Sequence, residues 1–191
     1  GLLRLGAGQE GAAQPVGRTR DDLEGLAVTG AGRYLASGRR NRDGAPLGLV
    51  TTVDGGRSWR TVSLARQVDL HPLAASGRVV AGVDSGTGEL MVSDDGGLRW
   101  RRSAPPSPLA DLAVDPAFPP RMIGVTASAM AVTTDGGKSW TALREGGPGL
   151  LAWPRQEVLW WVDKDGAVQR SADAGVTWTP AGDVDGPPLA I

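Results

Sequence analysis

Asp22 and Glu24, Asp69 and His71, and Asp111 are the residues of this sequence best suited to chemistry. The first two pairs are spaced i, i+2, so on a strand both members should project from one side. Two carboxylates facing across a cleft, one of them holding its proton, are what glycoside hydrolysis requires. The same groups with one imidazole make a pocket for a polar ligand centred on Asp69 and His71. A second cluster, Arg39-Arg40-Asn41-Arg42-Asp43-Gly44, offers three guanidinium groups able to grip a carboxylate or phosphate. Each cluster has a plainer reading. Wet openings collect polar residues, His71 can simply bond Asp69, and charge runs on loops are usually solvated.

The inventory removes other chemistries. With 191 residues, 40% of them hydrophobic, the chain can build one large core or a row of small ones. Its formal net charge is −1 and its basic residues are scattered, which gives no footprint for nucleic acid. Cysteine is absent and histidine occurs once, so disulfides, thiolate metal sites and multi-histidine centres are excluded. No metal and no cofactor is expected. No apolar run reaches the roughly 18 residues of a membrane span. There is no Gly-x-Gly-x-x-Gly opening a helix, no Walker loop and no Gly-x-Ser-x-Gly elbow. "DDGG" and "TDGGKS" lack the spaced acidic ligands and terminal glutamate of a calcium loop.

The elements that must position these residues follow from a repeat. Thr52 to Trp59, Ser93 to Trp100, Thr133 to Trp140 and Ser171 to Trp178 all fit [ST]-x-D-x-G-x-x-W. A period of about 40 residues marks a repeat architecture. Between the copies lie short apolar runs bounded by Gly, Pro, Asp and Ser, which read as strands and turns, and nothing reads as a long amphipathic helix. One unit has an inner strand around Leu26-Ala27, Leu73-Ala74, Leu112-Ala113 or Leu151-Ala152, then a second and a third strand, the motif, and a fourth strand starting at the tryptophan. The motif therefore has a mechanical task. Asp54, Asp95, Asp135 and Asp173 accept turn N–H groups. Gly56, Gly97, Gly137 and Gly175 supply positive φ. Trp59, Trp100, Trp140 and Trp178 fold over the hairpin.

Four-stranded units of this length stacked radially make an all-β fold, a β-propeller of antiparallel blades with the motif between strands three and four. The units resemble Asp-box (BNR) repeats, as found in sialidases, in the sortilin lumenal domain and in the photosystem II assembly factor. Two longer stretches, "ASGRRNRDGAPLGLVTTVDGGRSW" and "VDLHPLAASGRVVAGVDSGTGELMVSDDGG", are similar to a bacterial group of Asp-box proteins often labelled glycosyl hydrolases. The resemblance implies an exported, extracytoplasmic protein, but fold analogy does not carry a function. A sialidase of this class needs an arginine triad, a Tyr–Glu nucleophile pair and an Asp acid/base. The Arg-Ile-Pro signature is absent and the one tyrosine, Tyr34, sits mid-strand in "GRYLASG".

The expected organisation is a single propeller domain over 1–191. It comprises a partial blade at 1–20, blades at 21–65, 66–106, 107–145 and 146–183, and the start of another at 187–191, so that the ring is incomplete. Inner strands of propellers start at the channel mouth. That brings Asp22, Glu24, Asp69, His71 and Asp111 to one opening, with the Arg39, Arg40 and Arg42 loop on the same face. Trp153, Trp160 and Trp161 of the last blade read as inter-blade packing, with a sugar-stacking platform as the alternative. The leading function is a non-enzymatic platform that binds a protein or carbohydrate at the mouth. The alternative is a glycoside hydrolase using Glu24, Asp69 and Asp111, with Asp22 as a further carboxylate.

Overall fold

The computed structural model describes residues 3–4, 14–17 and 20–184. Its strands are β1 (Leu3–Arg4), β2 (Gln14–Pro15), β3 (Asp22–Gly30), β4 (Arg33–Arg39), β5 (Leu49–Thr52), β6 (Arg60–Ser63), β7 (Leu70–Ser76), β8 (Val79–Asp84) and β9 (Leu90–Ser93). They continue with β10 (Arg101–Ser103), β11 (Asp111–Val114), β12 (Met122–Val125), β13 (Ala129–Thr133), β14 (Thr141–Glu145), β15 (Gly149–Arg155), β16 (Val158–Asp163), β17 (Ala167–Ser171) and β18 (Thr179–Asp183). From β3 onward, each run of four consecutive strands forms one antiparallel sheet. Among the described residues the architecture is all-β, a propeller with four four-stranded blades, as the repeat predicts. β1 pairs with β2 in a separate two-stranded sheet, Leu3 opposite Pro15. The strand expected at 187–191 lies outside the described residues.

Sequence pattern and position in the blade agree. The middle strands β9 and β12 are buried along their whole length, because a neighbouring blade covers each face. They accordingly read as continuous apolar runs rather than alternating ones. The outermost strand β18 is exposed throughout and is polar. Inner strand β3 alternates, with Gly25 and Ala27 buried and Glu24, Leu26 and Val28 open. Inner strands pack in the order β3, β7, β11, β15, and among the described residues β15 makes no comparable packing with β3.

Three apolar clusters fill the seams. Ala27, Leu35 and Leu49 of the first blade meet Leu73, Val80 and Met91 of the second. Val83 and Leu90 then meet Leu112 and Met122. Ile123 and Met130 meet Leu159 and Trp161.

The repeated turn locks each seam. In every copy the Ser or Thr hydroxyl donates to the aspartate Oδ1 at 2.7–2.9 Å. The Ser or Thr hydroxyl oxygen in turn accepts the N–H of the second glycine position at 2.8–3.0 Å. Oδ1 also accepts the N–H four residues on, at 2.8–3.0 Å. In three copies a hydroxyl at that position, Ser58, Ser139 or Thr177, donates to Oδ2 at 2.6 Å. These donors favour the ionised form. The hydroxyls of Ser58, Ser139 and Thr177 hold Asp54, Asp135 and Asp173 below the usual carboxylate range. Arg99 replaces the hydroxyl in the second copy, where its backbone N–H leads in lowering Asp95.

So folded, the turn pushes its second glycine into the preceding blade. Gly97 has φ +90°, and a Cβ there would lie 2.1 Å from Leu49 Cδ2. Gly137 meets Leu90 in the same way, and Gly175 meets Ile123. The tryptophans sit beside these contacts, half-buried: Trp100 and Trp140 against the first two seams and Trp178 against the third. Trp100 Nε1 donates to Ser63 Oγ of the preceding blade and to Gly97 O, both at 3.0 Å. At the first glycine of the motif the chain has made its own substitution, Ala174, at φ 59°. Open space around the corresponding Gly96 explains why a methyl group is accepted there. Gly96→Ala should therefore cost about 1–2 kcal/mol of backbone strain. Gly97→Ala should cost roughly 1–3 kcal/mol beyond that through overpacking. Urea unfolding of the two variants measures the difference.

Candidate functional site

The four inner strands line a half-open cavity of about 370 Å³ along the propeller axis. Glu24, His71, Asp111 and Leu150 line the end where those strands begin, and Val28, Ala75, Val114 and Pro154 the end where they finish. The walls between are apolar. Leu26 and Val28 are 45% and 66% exposed although they lie on an inner strand, since their side of β3 borders the cavity.

At the mouth the charges are interlocked. Asp69 stands just behind the wall, 2% exposed, with Oδ2 paired to Arg39 Nε at 3.2 Å. Ser85 Oγ donates to the same oxygen at 3.2 Å, while Oδ1 is buried without a donor. Glu24 lies against it. Partial burial, then the Asp69 carboxylate, then Asp22, raise the proton affinity of Glu24, with Arg39 opposing. Asp69 therefore makes Glu24 hold its proton more tightly than an ordinary glutamate.

His71 Nδ1 lies 2.7 Å from the backbone oxygen of Glu24, so Nδ1 carries the proton and stitches the second blade to the first. Asp111 Oδ2 accepts the N–H of Leu151 at 2.6 Å, joining the third blade to the fourth. Burial pushes its carboxyl up to about 6, against the hydrogen bonds from Leu151 and Leu112 and the charge of His71.

The structure thus gathers Asp22, Glu24, Asp69, His71 and Asp111 in one neighbourhood, but not as two matched pairs. Asp69 and His71 do not share a side, because the register of β7 slips between Leu70 and Leu73 and turns Asp69 inward. His71 consequently bonds Glu24 rather than Asp69. The arginines are divided as well. Arg39 is held by Asp69, whereas Arg40 closes a turn, its N–H on Ala45 O and its carbonyl taking the N–H of Gly44. Arg42 is exposed. Asp43 is engaged by the Ala45 N–H and by Arg66 at 3.0 Å. No group of three or more His, Cys, Asp or Glu residues is set to hold a metal among the described residues.

In the fourth blade, Trp153 and Trp161 are 8% and 4% exposed and lie in the seam with the third. Trp160, on the other sheet face, is half-buried. Arg144 of β14 lies 5.0 Å from the Trp161 ring and 5.8 Å from the Trp178 ring, a cation–π stack the sequence did not reveal. Its members belong to two blades, and no local spacing links them. On the opposite face a hollow is lined by Phe118, Arg121 and Glu157 among others, where Arg121 is already taken by Asp115 at 3.3 Å.

No family model and no curated protein matches the chain. Solved structures do. YCF48 bound to D1 peptide is 18% identical, with a TM-score of 0.59, over 87% of this chain and 56% of that one. YCF48 from Cyanidioschyzon merolae is 18% identical at 0.59, over 91% and 60%. The Niastella koreensis GH74 enzyme is 18% identical at 0.60, over 88% and 25%. At these identities the likeness is one of fold. The chain spans little more than half of the YCF48 chains and a quarter of the hydrolase.

Asp111 gives this site a signature in stability. A carboxyl whose folded value lies above its unfolded one, about 4, holds more protons folded than unfolded between about pH 4 and 6. Stability must therefore fall as pH rises through that window. Asp111→Asn keeps an acceptor for Leu151. It should remove the Asp111 share of the decline, melting at a higher temperature than wild type at pH 7 and at nearly the same temperature at pH 4, as read by thermal denaturation.

Proposed function

We propose that this chain is a non-enzymatic binding or assembly platform that recognises a protein segment at the mouth of its central cavity. The observation that carries the reading is that cavity itself, with apolar strand walls and an acidic rim. Pockets of this size, mostly apolar with a few convergent polar groups, are typical of ligand sites. Two rim groups, His71 and Asp111, are pinned by backbone on a neighbouring blade, which stiffens the receiving surface. A peptide fits better than a glycan. Of the indoles that could stack on sugar rings, Trp153 and Trp161 are buried in the seam and Trp160 is half-buried on the other sheet face, away from the cavity lining.

The YCF48 structure with D1 peptide is a precedent for a propeller of this shape holding a peptide. We also assign the repeated turns to the Asp-box class on their motif, and with them an exported, extracytoplasmic location. Panning a displayed random-peptide library on the whole chain tests the platform. Selected peptides should compete for the mouth and lose at least tenfold in affinity on Glu24→Gln, yet be unaffected by Phe118→Ser on the opposite face. Selection of peptides indifferent to the mouth residues would overturn the reading.

One observation favours a second reading, glycoside hydrolysis. Glu24 and Asp111 line the same cavity and both hold protons more tightly than ordinary carboxylates, as a general acid must. Against it, Asp111 is committed to the Leu151 amide. Turnover on a panel of aryl glycosides that disappears in Glu24→Gln would establish the enzyme. No turnover above the uncatalysed rate would sink it.

A further inference from the structure

Resting on the platform reading, we infer that the mouth takes a cationic side chain, a lysine or arginine of the bound segment, with its methylenes on the strand walls and its charge among Glu24, Asp111 and Asp69. Long basic side chains combine an apolar stem with a charged tip. The cavity has the matching order. Leu26 and Val28 from one blade and Leu150 and Ala152 from another provide apolar wall, while the carboxyls stand at the rim.

The charge around the rim is unbalanced. Glu24 and Asp111 line the opening, Asp22 acts on Glu24, and Asp69 lies immediately behind. The cation opposing them is Arg39, which sits on the Oδ2 side of Asp69. Asp69 Oδ1 has no donor although its side chain is 2% exposed. An orphan acceptor of this kind is costly unless a proton or a donor reaches it. An incoming ammonium or guanidinium group meets Glu24 and Asp111, the carboxyls that line the cavity, and adds a positive charge in front of Asp69.

The other occupants fit less well. An anion would have to pass Glu24 and Asp111. A bare metal ion finds no preformed set of three ligands among the described residues. The histidine is fixed by the Glu24 carbonyl and offers its Nε2 edge, not a second carboxylate partner.

The inference has a pH consequence. The groups facing Glu24 are Asp22, Asp69 and Arg39, and those facing Asp111 are His71 and the N–H groups of Leu112 and Leu151. Both carboxyls hold their protons more tightly than ordinary carboxylates, Asp111 up to about 6, so a cation bound beside them favours proton release. Binding should strengthen as pH rises from 5.0 to about 7.5, with protons released.

The experiment titrates the isotope-labelled whole chain with blocked pentapeptides, four glycines around one central lysine, arginine, norleucine or glutamate. Lysine and arginine peptides should shift amides at 24–27, 71–75 and 111–113, and should bind at least tenfold more tightly than the norleucine peptide. Glu24→Gln should weaken the lysine peptide severalfold while leaving the norleucine peptide unchanged. Equal binding by norleucine or glutamate, or lysine-induced shifts scattered over the surface acids, overturns the inference on the wild-type chain, whatever becomes of the variant. If library-selected peptides seat at the mouth without any basic residue, the cation assignment falls and the platform stands. If nothing seats there at all, both fall.

Discussion

A glycine with no room for a methyl group holds each blade to the one before it. The Ser or Thr hydroxyl and the aspartate of the motif curl the backbone so that the second glycine lies at φ close to +90° against a buried leucine or isoleucine of the preceding blade. Neither contact works without the other. The hydrogen bonds are local and would form in any exposed hairpin, but only close approach turns that hairpin into an inter-blade contact. The half-buried tryptophan then covers the junction. Its ring is shared between turn and seam rather than sunk in a core, which is why a single indole can serve two blades at once.

Everything at the centre inherits its position from those outer contacts. Once the seams are filled, the inner strands have only one free side, and they turn it toward the axis. Backbone amides are still to be satisfied where neighbouring inner strands meet. Ser37 accepts the N–H of Leu70 at 2.8 Å, and Asp111 accepts that of Leu151. One of these acceptors is neutral and the other ionisable. The choice of a carboxylate where a hydroxyl serves elsewhere brings a titratable group to the cavity wall for a structural task, and burial then raises its proton affinity. Perturbed groups of this kind gather at functional sites, although structural networks produce them too. Asp111 has the structural task, and the proposed site would give it the other.

The fold was legible in the sequence because its determinants are local. The hydroxyl, aspartate, glycine and tryptophan of each turn lie within eight residues, and four copies remove coincidence. The neighbourhood of the site was legible too, since Asp22, Glu24, His71 and Asp111 all stand at the starts of inner strands. Its internal arrangement was not. The i, i+2 rule assumes an unbroken pleat, and the slip between Leu70 and Leu73 breaks it, sending Asp69 inward and His71 to the Glu24 carbonyl. The three arginines look alike in sequence, yet Arg39 alone has a buried carboxylate beside it. The stack of Arg144 on Trp161 and Trp178 spans two blades and leaves no spacing to read.

Rigidity and charge pull in opposite directions at the mouth. The same frame that fixes His71 and Asp111 leaves Glu24 beside Asp69, whose carboxylate helps raise the proton affinity of Glu24. Were the propeller shaped by stability alone, neutral acceptors such as the serine at 37 would serve at each junction, and Asp69 would not keep an oxygen without a donor. The excess charge therefore sits where the frame tolerates it but does not need it. A surface that is pre-formed, and is destabilised in the absence of a compensating charge, releases that tension when the charge arrives. The recognition proposed for this opening would draw on that driving force, independent of how much apolar wall is covered.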